Sequence, residues 1–177
     1  MAGLCVVEAF LEGASLERLR GAMRGAGGAA APVSAVASAR RTTELVVPDG
    51  LRAEVERALE DRRAELAGRF DRELDEVERA QFLRYAPGDY FVAHQDGNTP
   101  MVPDHTLHRR VSAVLFVSDP GDYDGGALVL HGDERVALSP PAGTLVAFPA
   151  ETTHEVTPLE RGERLTVVAW YRAEPDS

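Results

Sequence analysis

His94 and Asp96 stand two residues apart in the run Tyr90-Phe91-Val92-Ala93-His94-Gln95-Asp96, and another histidine, His154, opens a later apolar run. On an extended segment, residues i and i+2 project to the same side. His94 and Asp96 can therefore reach one ion together, and His154 can close the site from a facing strand. Two imidazoles and one carboxylate occupy one face of an octahedron. Three positions stay open on the other face, which suits non-haem Fe(II) and its oxygen chemistry. A lone His-x-Asp triplet also arises by chance, and its bland reading is a surface His beside a turn made by Asp96-Gly97-Asn98. The stretch His154-Glu155-Val156-Thr157-Pro158-Leu159-Glu160-Arg161-Gly162-Glu163-Arg164 adds a guanidinium on the strand after the one carrying His154. Arg is a rigid, permanently charged fork that matches a carboxylate. Facing into a β-rich interior it is costly unless an anion meets it; on the motif alone, an outward-facing strand Arg is the alternative. The same three ligands would also serve a zinc-dependent hydrolase, which has no need of Arg164. A non-catalytic β-sandwich binding module would hold no metal and turn His94 outward.

The elements that must position these residues are mostly strands. Short apolar runs at Ala80–Tyr85, Tyr90–His94, Val111–Val117, Ala127–Leu130, Arg135–Leu138, Thr144–Phe148, His154–Thr157 and Leu165–Tyr171 alternate with Pro, Gly and Asp turns. Those turns include Asp124-Gly125-Gly126 and Arg161-Gly162. Regular strand spacing with such turns indicates a sandwich or barrel. Ahead of them, residues 4–11 read as a short strand or entry segment. Ser15 is placed to cap a helix through about Met23. Gly21 to Pro32 reads as a mobile loop, and Val33 to Val47 has extended character. A second helix is expected from about Pro48 to Ala67, with Leu51, Val55, Leu59 and Leu66 as its apolar stripe. That stripe needs a sheet to lie on.

Bulk properties narrow the chemistry further. A length of 177 residues, 44% of them hydrophobic and 27% charged, suits one soluble globular domain. The formal net charge of -10 repels phosphate backbones, so no nucleic-acid partner is expected. Arg40–Arg41 and Arg109–Arg110 are the candidates for a local basic groove. All 19 basic residues are Arg, which excludes Schiff-base catalysis and a P-loop lysine. The single Cys5 allows no intrachain disulfide and reads as a small core residue. No apolar stretch is long enough to span a membrane, and the N-terminal residues lack a signal peptide's basic region. A reducing, cytoplasmic setting is the default expectation; oligomeric state is not legible.

Several of these segments, in order, resemble the 2-oxoglutarate/Fe(II) oxygenase superfamily, and most closely its prolyl 4-hydroxylase-like branch. Arg84-Tyr85-Ala86-Pro87-Gly88-Asp89-Tyr90 running into His94-Gln95-Asp96 is similar to the family's Tyr, Gly-containing turn, second aromatic and HxD. Arg109–Phe116 is similar to the strand that follows, and Gly125-Gly126-Ala127-Leu128 to its Gly-Gly before a strand. The His154–Arg164 stretch and Trp170 complete the order. The resemblance implies a mainly β fold with supporting α-helices, a double-stranded β-helix (jelly-roll, cupin-like) core flanked by N-terminal helices. Residues 1–177 would form one domain, with helical support over about 1–75 and the catalytic core over about 76–172. It implies His94, Asp96 and His154 as iron ligands. Arg164 would bind the distal carboxylate of 2-oxoglutarate, assisted by Thr166 and the Tyr85 hydroxyl. Arg109 or Arg110 would stand near substrate. Phe116 departs from a Tyr common among relatives, so a hydroxyl is missing there. Arg164 stands where relatives acting on procollagen usually have Lys. The implied reaction consumes 2-oxoglutarate and dioxygen, with ascorbate as a candidate reductant, and yields succinate and carbon dioxide. Halogenating relatives lack the carboxylate that Asp96 supplies, so hydroxylation is implied. The substrate is expected to be a small molecule, amino acid or peptide, proline included. His105 and His108 read as loop residues and His131 as a strand end.

Overall fold

In Arg109–Phe116 and Arg164–Arg172, nearly every side chain is buried. A strand can be buried on both faces only when layers cover both, and two layers do so here. The computed structural model describes residues 3–31, 37–101 and 104–174. In chain order its strands are β1 (Cys5–Val7), β2 (Gly28–Ala30), β3 (Arg40–Arg41), β4 (Thr43–Leu45), β5 (Glu76–Val77), β6 (Gln81–Tyr85), β7 (Tyr90–His94), β8 (Arg109–Phe116), β9 (Tyr123–Gly125), β10 (Leu128–His131), β11 (Arg135–Leu138), β12 (Leu145–Pro149), β13 (Thr153–Val156), β14 (Leu159–Gly162) and β15 (Arg164–Arg172). The helices are α1 (Gly13–Gly25), α2 (Asp49–Asp61) and α3 (Arg63–Phe70), with short 3-10 turns at Ala37–Ala39, His105–His108 and Pro120–Asp122.

The large sheet runs β1-β12-β8-β15-β6-β4-β2, with β5 on the end of β15; the small sheet runs β11-β10-β13-β7-β3; β14 pairs with β9. All pairings are antiparallel, giving the mainly β, jelly-roll-like architecture expected from the sequence. The period of two in β8 and β15 divides the side chains between the layers. Val111, Ala113, Leu115, Leu165, Val167, Ala169 and Tyr171 pack with Leu16, Leu19 and Met23 of α1, Val55 and Leu59 of α2 and Leu66 of α3. The alternate residues face the small sheet: Val114, Phe116, Val146 and Phe148 pack with Leu128 and Leu130. The Tyr171 hydroxyl donates to Leu59 O at 2.7 Å, tying α2 to the sheet. None of the described helices is long and apolar enough to cross a membrane.

Four expectations are corrected. Ser15 is not a cap: α1 begins at Gly13, and its N-cap Glu12 makes no side-chain cap hydrogen bond. The loop expected over Gly21–Pro32 instead continues α1 through Gly25 and then forms β2, whose backbone pairs with β4. Pro32, and residues 33–36 of the extended run, lie outside the described residues. The second helix is two helices meeting at Arg62, where the backbone N–H turns back to Leu59 O at 3.1 Å. That tightened turn leaves Leu66 in the same core as Val55 and Leu59. Finally, parts of the two expected turns Asp124–Gly126 and Arg161–Gly162 pair as the β9–β14 ladder. Within the first seventy-five residues, β1, β2, β3 and β4 extend both sheets beside the helices.

Candidate metal centre

Register, not sequence distance, decides what meets His94. β7 pairs with β13 so that His94 lies directly opposite His154, with a register shift between His154 and Val156. The two rings stand 4.2 Å apart between centroids. Asp96 follows two residues past His94, where its N–H and that of Gly97 both donate to Ala150 O, at 2.9 and 3.2 Å. A Cβ on Gly97 would stand 2.1 Å from Thr106 O, so only glycine lets this backbone lie against the 105–108 turn. The sequence-predicted three come together: one ligand atom from each of His94, Asp96 and His154 lies within 4.8 Å of the others.

Both imidazoles are oriented from behind. His94 Nδ1 lies 2.7 Å from Val92 O and His154 Nδ1 lies 2.9 Å from Thr152 O. A carbonyl only accepts, so Nδ1 carries a proton and each Nε2 is directed into the cluster. His94 Nε2 is buried and 3.2 Å from Asp96 Oδ1 but off hydrogen-bonding geometry. His154 Nε2 lies 3.3 Å from Asp96 Oδ2, and that oxygen accepts from Ser112 Oγ at 2.6 Å. Burial alone would push the Asp96 carboxyl up, yet the His154 and His94 imidazoles beside it hold it well below the ordinary carboxylate range. Burial pulls His154 down, and the Asp96 carboxylate more than reverses this, leaving it raised. Two imidazole nitrogens and a carboxylate held ionised are a donor set that fits a divalent first-row metal.

The cluster opens into a cavity of about 420 Å³ whose lining also includes Tyr85, Arg164 and Thr166. Arg164 is 1% exposed. Among the described residues no carboxylate pairs with it, and its Nε has no hydrogen-bond partner. Its guanidinium lies 4.9 Å from the Tyr85 ring centroid and 5.3 Å from that of Phe116. Burial lowers its affinity for the proton, with the phenols of Tyr85 and Tyr123 opposing. Burial raises the pKa of Tyr85, and Arg164 and Arg40 act against that rise. The Thr166 hydroxyl is likewise buried without a partner, while the Tyr123 phenol lies beside the Arg164 guanidinium, outside the cavity lining. Gly126 makes room, because a Cβ there would come within 3.2 Å of Arg164 Cδ. A buried cation and a buried hydroxyl lacking a partner, both in the cavity lining, fit a small anion.

The other sequence candidates are placed differently. Arg109 lines the cavity, but its Nε and one Nη each donate to Glu78 at 2.9 Å, its other Nη donates to Asp96 O at 3.2 Å, and its guanidinium lies 3.7 Å from the Trp170 ring centroid. It braces the backbone of Asp96. Arg110 bonds Asn98 Oδ1 and Leu107 O and is not part of the lining. His105 reaches the lining and His108 does not; His131 ends β10. Sequence reasoning missed Ser112, Tyr123 and Glu78, and named Arg40 only as part of a candidate basic groove. Ser112 left a trace, as the one hydroxyl within the apolar run of β8.

Comparison with known proteins agrees with this geometry. The family model described as the 2OG-Fe(II) oxygenase superfamily matches residues 80–172. A PKHD-type hydroxylase of Paraburkholderia phytofirmans is 42% identical over 96 residues, covering 52% of this chain and 41% of that protein. One from Sphingopyxis alaskensis is 40% identical over 91 residues, covering 51% and 42%. The chain thus spans about two-fifths of the length of the curated relatives it matches. Among solved structures, a Pseudomonas putida prolyl-4-hydroxylase superposes with a TM-score of 0.77 at 24% identity, over 98% of this chain and 94% of that one. A Trichoplax adhaerens prolyl hydroxylase, in complex with a hypoxia inducible factor peptide fragment, gives 0.72 at 20% identity, over 97% and 84%.

Proposed function

Since this chain belongs to the 2OG-Fe(II) oxygenase superfamily, we propose that it hydroxylates an unactivated C–H bond of a small molecule, amino acid or peptidyl residue such as proline, consuming 2-oxoglutarate and dioxygen. The observation that carries this reading is the fully buried Arg164, with no carboxylate partner among the described residues, in the same cavity as the His94–Asp96–His154 cluster. A zinc hydrolase built on those three ligands has no use for such a cation. A binding module has no reason to bury it. In this reading the domain covers residues 1–177, with the catalytic core over about 76–172, in a cytoplasmic setting.

His94 Nε2, the Asp96 carboxylate and His154 Nε2 would hold the iron. When bound, Fe(II) supplies oxygen activation coupled to decarboxylation of 2-oxoglutarate, giving succinate and carbon dioxide. The protein's own work is orientation and exclusion. Val92 O and Thr152 O fix the two imidazoles, and Ser112 Oγ holds one carboxylate oxygen of Asp96. Arg164 would take the far carboxylate of 2-oxoglutarate as a charge-assisted pair. Thr166 and Tyr85 would assist, and the Tyr123 phenol would steady the guanidinium from outside the cavity lining. Leu83, Val114, Val156 and Val168 line the cavity between these groups, keeping water from the reacting centre. Arg109, spent on Glu78, would position Asp96 and not grip substrate.

The test is succinate release. Folded protein loaded with Fe(II) and given 2-oxoglutarate in air should form succinate above a no-iron control; Zn(II)-loaded protein should form none. No succinate from iron-loaded protein, across a panel of amino acids and short peptides, overturns the reading.

A further inference from the structure

Three guanidiniums line the cavity, and the oxygenase reading gives a partner to two of them. Arg109 is met by Glu78. Arg164 is reserved for the cosubstrate's distal carboxylate. Arg40 is left over. It is half-buried, no carboxylate among the described residues lies within ion-pair distance of it, and its Nε is buried without a hydrogen-bond partner. Its Nη2 donates to the neutral carboxamide of Gln81, at 3.3 Å, and its other neutral neighbour is the Tyr85 phenol. Of the acids in the lining, Asp96 belongs to the metal cluster and Asp104 is turned to the Thr106 N–H and hydroxyl.

The position of this charge follows from the small sheet. β3 pairs with β7 so that Arg40 lies opposite Phe91. Its guanidinium sits 4.9 Å from the Phe91 ring centroid, and that ring stacks 3.5 Å from the His94 imidazole. The cation is therefore no further from the His94 ring than those two distances laid end to end, on the flank of the metal cluster formed by β3, β6 and β7. A ring face satisfies a guanidinium only in part. A carboxylate would complete it with a two-point fork. The chain's net charge of -10 disfavours a polyanion, whereas a single carboxylate beside a local guanidinium is not penalised in this way.

Building on the oxygenase reading, we propose that Arg40, with the Gln81 carboxamide, binds a carboxylate of the substrate itself, and that the substrate is a small carboxylic acid. The charge and the reacting carbon must be only a few bonds apart, because Arg40 and His94 flank the same ring. A free amino acid meets this requirement; so does the residue bearing the C-terminal carboxylate of a short peptide.

The experiment is anaerobic calorimetry on Fe(II)-loaded protein, where no turnover occurs. A first titration with 2-oxoglutarate reports on the oxygenase reading by itself. The 2-oxoglutarate-loaded protein is then titrated with each free amino acid and its primary amide, and with tripeptides whose C-termini are free or amidated. At least one acid should bind about tenfold or more tightly than its amide, as expected for a hydrogen bond to a charged group. The amino-acid and tripeptide arms separate the two sources of the carboxylate. In Arg40→Gln the acid-over-amide margin should fall to near one; in Arg40→Lys part of it should persist. No acid beating its amide, or an undiminished margin in Arg40→Gln, overturns the assignment even where 2-oxoglutarate binds normally.

Discussion

Replacing Arg164 by Met separates a binding role from a structural one, because the two predict opposite effects on the free protein. The side chain is 1% exposed, and no carboxylate pairs with it among the described residues. Holding such a charge out of water costs several kcal/mol, and well-packed apolar replacements of buried charges are often neutral or stabilising by about 1–4 kcal/mol. Contacts with the Tyr85 and Phe116 rings, 4.9 and 5.3 Å away, return about 0.5–2 kcal/mol of that. Arg164→Met should therefore leave the ligand-free protein as stable as the wild type, or slightly more so. With 2-oxoglutarate the sign reverses. Truncating one partner of a buried charge pair costs roughly 2–5 kcal/mol, which weakens the Kd by about 30-fold to a few thousandfold. At 100 times its Kd a ligand stabilises by about 2.7 kcal/mol, so the wild type should show a clear rise in Tm with 2-oxoglutarate and the variant little or none. Thermal melts and anaerobic calorimetry, with Fe(II) binding measured in parallel, read all three quantities. A Kd within about threefold of wild type, under 1 kcal/mol, would rule out the binding role of Arg164. Loss of more than about 2 kcal/mol in the ligand-free protein, where a neutral or stabilising change is expected, would refute the reasoning on its burial.

Ser112→Ala removes the 2.6 Å hydrogen bond to Asp96 Oδ2 and should lower metal affinity about 10- to 100-fold with the fold intact; competition against a chelator measures it. Gly97→Ala brings a Cβ within 2.1 Å of Thr106 O, so the backbone must shift, at a cost of about 1–3 kcal/mol in urea denaturation, with weaker metal binding. Burial would raise the Glu151 carboxyl, but its ion pair with Arg72 and a hydrogen bond from Asn98 leave it below its ordinary value of 4.5. A lowered folded-state pKa gives stability that is fully present above that value and lost as pH falls through the folded one. The Tm of Glu151→Gln should therefore lie below wild type at neutral pH and converge with it on acidification; a constant gap from pH 7 to 3 would contradict this.

The metal cluster was legible because its signal is local. His94 ends β7 and Asp96 follows two residues on, the spacing that the period of two reads as one side, and His154 begins its own apolar run. Arg164 was legible through the ordered resemblance, since the motif by itself left an outward-facing strand Arg open, and its burial shows only in the fold. What stayed hidden depends on cross-strand register. Nothing near Arg109 in sequence reveals that Glu78 is its partner; that pairing exists because β5 and β8 both lie along β15. Arg40 reads as half of a basic pair until β3 is seen beside Phe91. Tyr123 lies in a segment dominated by turn residues, yet folds back onto Arg164. The misplaced elements have the same cause. Gly28–Ala30 has poor strand propensity and forms β2 only because β4 offers its edge. The break at Arg62 carries no Pro or Gly to mark it.

The most direct measurement is the position of the metal. Crystals grown anaerobically with Fe(II), with data collected at the iron absorption edge, should give one anomalous peak per chain, in contact with His94 Nε2, an Asp96 carboxylate oxygen and His154 Nε2 together. A peak lying elsewhere, or leaving any one of these three side chains out of contact, would contradict the assignment of the centre.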